Sequence, residues 1–184
     1  MKVLVAYKSK TGNTRKVAET IYGEINDDKE IKPIDQVDSI EGYDIAFLGF
    51  PIEKEGPSKQ AAQFLKKLCV SGRKVALFIT HAAQEDSLDL PPMLAKFEEA
   101  ARGANVVAMF DCQGELARAV KLIMSLMPNV KYRRWAKLDN SQGQPDQTRI
   151  ERARVFSRDV MRRLHEEEDH VKSLAEYLKE PAVA

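Results

Sequence analysis

The sequence predicts an α/β fold, a three-layer doubly wound domain around a five-stranded parallel sheet. Two observations predict it. Short, near-continuous apolar runs recur along the chain, as strands covered on both faces should. Helical patterns of roughly 10–15 residues alternate with them, which implies right-handed βαβ units. The chain is 43% hydrophobic over 184 residues, enough for one sizeable core.

Lys2–Tyr7 (KVLVAY) is the first strand, β-branched and too short for a helix. From Thr14 to about Asn26 the pattern turns helical, with Val17, Ala18, Ile21, Tyr22 and Ile25 on one stripe. A weaker strand follows near Ile31–Asp35, and Pro33 suits an edge position. Tyr43–Phe50, Lys74–Thr80 and Asn105–Asp111 are the remaining strands. Helices are expected over Lys59–Cys69, Pro92–Arg102 and Leu116–Met127, the last stopped by Pro128.

Asn129–Gln144 is polar and basic and reads as a long loop. Asp146 is a plausible N-cap for a helix ending near Leu164. The run His165–His170 (HEEEDH) reads as a solvated stretch, followed by an amphipathic segment, Val171–Leu178. That segment is expected to pack as a helix on the domain or on a second subunit. These features divide the chain into a domain over 1–164 and a charged helical tail over 165–184.

Charge excludes some functions. Lys+Arg number 29 against Asp+Glu 28, so no global field favours nucleic acid or an anionic membrane, and neither is expected as a partner. Cys69 and Cys112 are too few for a disulfide framework, and no zinc spacing is present. With no signal peptide visible before the first strand, a cytoplasmic protein is expected.

The segment richest in chemistry is Ser9-Lys10-Thr11-Gly12-Asn13-Thr14, between the first strand and the first helix. It gathers hydroxyls, an amide, a glycine and unpaired N–H groups at a helix N-terminus, which together suit a phosphate. Neither G-x-x-x-x-G-K-[ST] nor G-x-G-x-x-G fits here. A receiver domain would need acidic residues where Tyr7-Lys8-Ser9 stands.

This segment resembles the flavodoxin fingerprint, S/T-x-T-G-N-T, whose loop wraps the phosphate of FMN. A second stretch, Leu48–Ile52 followed by Gly56-Pro57-Ser58, is similar to the G-x-P…G-x-P-S loop bordering the isoalloxazine in that family. Thr80–Asp89 lies where the other flavin loop sits. The resemblance spans about Met1–Asp111 and implies the strand order 2-1-3-4-5 with FMN as cofactor. It implies a phosphate site at Ser9, Lys10, Thr11, Gly12, Asn13 and Thr14. The ring would lie against Pro51, Ile52, Glu53, Lys54 and Gly56 on one side, and Thr80, His81, Ala82 and Ala83 on the other.

Neither ring loop offers Trp or Tyr, and Phe50 is expected to face the core. His81 has two readings, an imidazole near the flavin or a partly exposed loop residue. Cys112 and Cys69 are expected to be buried and structural. Lys131–Lys137 interleaves basic residues with Tyr132 and Trp135, a candidate contact for an acidic redox protein or the phosphates of an NAD(P)H donor. The family implies an electron carrier between redox partners, with no catalytic acid–base pair. Two alternatives stay open: an FMN-dependent NAD(P)H or quinone oxidoreductase, and a cofactor-free interaction module. The oligomeric state is open as well, with a dimer among the options.

Overall fold

The structure, a computed structural model, describes residues 1–68 and 72–178. The expectation for Cys69 falls outside them. Five strands, β1 (Lys2–Tyr7), β2 (Asp28–Pro33), β3 (Ile45–Pro51), β4 (Lys74–His81) and β5 (Asn105–Gln113), form one parallel sheet in the order 2-1-3-4-5. Pro33 closes the edge strand β2 opposite Tyr7, where a missing N–H costs the sheet least.

Strand alternation sorts side chains between two cores. Leu4, Leu48, Phe50 and Leu77 pack beneath α2 (Lys59–Leu68) and α3 (Leu90–Ala100). Val3, Val5, Phe47 and Phe78 pack beneath α1 (Asn13–Glu24) and α6 (Gln147–Tyr177). Gly49 makes that second face possible. A Cβ there would stand 2.0 Å from the Phe78 ring, so only glycine lets the ring lie across β3. Because α1 and α2 leave neighbouring strands toward opposite faces, the carboxyl ends of β1 and β3 part into a crevice. That is where this topology places ligands.

Two expectations need correction. Asn129–Gln144 is not one long loop: α4 (Arg118–Leu126) is followed by a second short helix, α5 (Val130–Leu138). Asn129 caps α5 by accepting from the Lys131 N–H at 2.9 Å. Tyr132, Trp135 and Ala136, at i, i+3 and i+4, give it one inward stripe, with Ala136 buried. Basic composition masked that spacing.

Likewise, the helix that begins at Gln147 does not stop near Leu164. It continues to Tyr177, 31 residues in all and about 46 Å long. His165–His170 contains no Gly or Pro, and pairs such as Lys172–Glu168 at 2.8 Å support its exposed turns. Inward residues end at Leu164. Val171–Tyr177 is helical as expected, but Val171, Leu174 and Tyr177 are exposed and do not pack on the domain. Arg154 and Arg158 tie α6 to α1 through Glu24, at 2.7 and 3.0 Å.

Candidate functional site

The phosphate-loop expectation rests on local geometry, beginning at Gly12. Its φ of 95° turns the chain into α1 from the left-handed region, which glycine adopts without strain. The Gly12 N–H donates to Ser9 Oγ at 3.1 Å, and the Gly12 carbonyl accepts the first helical bond, from Lys16, at 2.9 Å. The N–H groups of Asn13, Thr14 and Arg15 therefore have no acceptor within the helix. They lie at one end of a trough of about 290 Å³ lined by Lys10, Thr11, Asn13, Thr14, Pro51–Lys54, Thr80–Ala82 and Gly114–Ala117. First-turn N–H groups and the helix dipole favour an anion here.

The side chains divide into braces and open donors. Asn13 Nδ2 donates to the Glu115 carbonyl at 2.9 Å. Gly114 makes room for it, since a Cβ there would stand 2.8 Å from that nitrogen. Thr14 Oγ1 and Thr80 Oγ1 share a buried bond of 2.7 Å. These contacts fasten the loop to β4 and to the segment that follows β5. The Thr11 hydroxyl, exposed at the trough, is an open side-chain donor alongside the N–H groups, and the Ser9 hydroxyl, which only accepts from Gly12, keeps its own hydrogen free.

Glu53 crosses from the second loop and takes both nearby lysines, Lys8 Nζ at 2.9 Å and Lys10 Nζ at 2.5 Å. Lys8 also donates to Ser58 Oγ at 2.6 Å. Partial burial pushes the Glu53 carboxyl up, but hydrogen bonds from Lys10 and Lys8 outweigh it and hold the group below the usual carboxylate range. Glu53 thus stays ionised at neutral pH and opposes a phosphate for the same two cations. Glu53→Gln should tighten binding of a phosphate-bearing ligand several-fold, with the gain shrinking as salt rises. Ligand titrations at two ionic strengths check both.

The remainder of that loop is a tight turn. Ile52 N–H bonds the Thr80 carbonyl at 2.8 Å, and Glu53 N–H bonds the Gly56 carbonyl at 2.9 Å. Lys54, with φ 63°, sits at the tip in a conformation a non-glycine residue adopts at a cost. Gly56 lets Lys96 pass close by, a Cβ there falling 2.9 Å from Lys96 Cδ. Phe50 is fully buried against Phe64 and Phe97, facing the core as expected.

His81 is not a partly exposed loop residue. It ends β4 with 4% exposure, its Nε2 3.0 Å from Asp111 Oδ2 and its Nδ1 3.1 Å from the Ala83 carbonyl. Both ring nitrogens are engaged, so the imidazole fixes the path of Ala82 and Ala83 beside the trough. Cys112 is buried, and desolvation pushes its thiol up to about 12, which makes it inert at neutral pH. Among the described residues no acidic, His or Cys cluster could hold a metal ion, and no helix is long and apolar enough to cross a membrane.

The structure also adds a wall that the two loops did not announce. The α4–α5 pair lies over the carboxyl end of the sheet and brings Met124, Met127, Tyr132 and Trp135 toward Ile52 and Ala82. Trp135 Nε1 donates to Asp89 Oδ2 at 3.2 Å, and Lys131 bonds Glu55 at 3.1 Å. The spacing of Tyr132 and Trp135 after Pro128 was the available signal.

The flavodoxin-domain family model matches residues 4–158. The chain belongs to the flavodoxin family. A flavodoxin-like domain-containing protein of Clostridioides difficile, BilS, is 36% identical over 173 residues, covering 88% of this chain and 97% of that one. A Lactobacillus acidophilus flavoprotein, solved in complex with FMN, shares 25% identity at a TM-score of 0.50, covering 60% of this flavodoxin-family chain and 92% of the other. An archaeal flavodoxin shares the fold at a TM-score of 0.59 and 16% identity, covering 90% and 99%.

Proposed function

We propose that this flavodoxin-family protein binds FMN and carries electrons between redox proteins of the cytoplasm. The observation that supports it most is the open first turn of α1 at Gly12, set at one end of a trough whose other walls are largely apolar. A phosphate would take the N–H groups of Asn13–Arg15 and the Thr11 hydroxyl. Pro51–Lys54 and Thr80–Ala82 would flank the ring, Ala83 lining only the space beyond, and the similar Lactobacillus protein was solved with FMN. Bound there, FMN supplies reversible one- and two-electron chemistry, while the protein supplies orientation and electrostatics.

This chain's residues have three tasks in that reading. Asn13 and Thr14 tie the phosphate loop to the segment after β5 and to β4. His81 and Asp111 fix the loop beside the ring. Glu53 keeps a negative charge at the trough, which opposes added negative charge on a reduced ligand. Arg133, Arg134 and Lys137, exposed on α5, suit an acidic protein partner.

Plastocyanin, an acidic one-electron acceptor, tests the reading. Anaerobically reduced, FMN-loaded protein should reduce it at a rate that falls as salt rises. NADPH alone should leave the oxidised flavin unbleached. Rapid bleaching by NADPH without a reductase would instead make the protein an NADPH oxidoreductase.

A further inference from the structure

Beyond Ile52, His81 and Ala82 the trough widens into a chamber of about 440 Å³, larger than the compartment at the phosphate loop. The two share Ile52, Lys54, His81, Ala82, Leu116 and Val120 as a common boundary. Met93, Ile123, Met124, Met127 and Trp135 line only the far end.

The far wall is not part of the core. α4 buries no residue, and it is held through polar ties at its margins: Lys121 to Asp139 at 2.7 Å, and the Leu116 N–H to Ser141 Oγ at 2.8 Å. Apolar side chains beside unfilled volume forgo dispersion contacts, so Ile123 and Met124 are placed to meet something other than the sheet. Three methionines make an adaptable lining for flat apolar surfaces. Trp135 is a fixed platform, held by Asp89 at its edge and by Lys131, whose ammonium lies 4.6 Å from the ring centroid.

The polar groups narrow the ligand further. His81 is engaged by Asp111 and Ala83, and Asp139 by Lys121 and Ser141. Lys54 lies on the boundary and makes no ion pair among the described residues. The chamber thus offers apolar walls and one available cation.

We infer that the far chamber is a second binding site, adjoining that of FMN, for a flat, largely apolar molecule bearing a carboxylate or carbonyl oxygen. The inference rests on the FMN reading, since the phosphate-loop compartment must hold the flavin for the chamber to be a separate site. Such a site would bring a small molecule to the flavin's edge, a role that docking of redox proteins does not require.

The probe is 2-naphthoate, titrated calorimetrically into FMN-loaded protein and followed in parallel by tryptophan emission. Trp135 is the sole tryptophan, so its emission reports on the chamber wall directly. Saturable binding with a change in that emission is expected. Met124→Glu, which buries a like charge beside the ligand, should weaken naphthoate about tenfold or more, with FMN affinity and melting temperature unchanged. Naphthoate that binds only FMN-free protein and is displaced by FMN would overturn the inference, because the chamber would then be the flavin's own seat. No binding to FMN-loaded protein, or equal affinity in Met124→Glu, would overturn it too. Protein that takes up no FMN would sink the preceding reading and this one together.

Discussion

Thr11→Ala should weaken FMN about tenfold or more while leaving the fold intact. The Thr11 hydroxyl is an open side-chain donor of the phosphate loop at the trough, whereas Asn13 and Thr14 are engaged with Glu115 and Thr80. A hydrogen bond to a charged group contributes about 1.5–3 kcal/mol, and about 1.4 kcal/mol is a factor of ten. Thr14→Val should behave differently. Thr14 is 1% exposed and its partner Thr80 3%, so its loss leaves a buried hydroxyl unpaired and lowers stability as well as affinity. Melting temperature and FMN dissociation constant, measured on both variants, separate the two roles.

Phe47→Ala should cost about 3–5 kcal/mol, among the largest losses a single truncation can cause in this fold. Phe47 is fully buried in the central strand β3, opposite Val5 in register. Its ring meets Phe156 of α6 edge-on at 6.0 Å, and Phe156 stacks on Phe110 at 5.3 Å. Truncation therefore opens a cavity and also loosens α6 from the sheet. Chemical denaturation checks the magnitude, and an unchanged midpoint would contradict the burial argument as a whole.

These two residues show how unevenly the molecule could be read from its sequence. Phe47 lies in an unbroken apolar run, and such runs are legible because a doubly covered strand has no polar face. The strand runs found all five strands with end shifts of a few residues, and Pro33 marked the edge strand correctly. The turn at Gly12 was legible because a glycine at a strand–helix junction suits the left-handed conformation that opens α1. Which of its side chains stay open was not legible. Asn13 and Thr14 are engaged by Glu115 and Thr80, residues 102 and 66 positions away, which no local pattern encodes.

α5 was hidden for a different reason. Its outward face carries Arg133, Arg134 and Lys137, and nine residues give a stripe only two turns to declare itself. The aromatic side chains absent from the two ring loops reach the adjoining chamber from there. His81 was ambiguous because its burial depends on Asp111, on the neighbouring strand β5. The length of α6 is hard to read because a charge run without Gly or Pro reads as solvated, and a helix surface can be solvated while remaining helical.

The most direct measurement is a titration of flavin-free protein with FMN and, separately, with riboflavin, followed by quenching of flavin fluorescence. In the proposed site, removing the phosphate from the ligand would remove the N–H contacts of the α1 first turn and the Thr11 bond together. The expected result is one FMN bound per chain, with riboflavin weaker by about a hundredfold or more. Equal affinity for the two flavins would contradict the site, and no quenching by either would contradict the function.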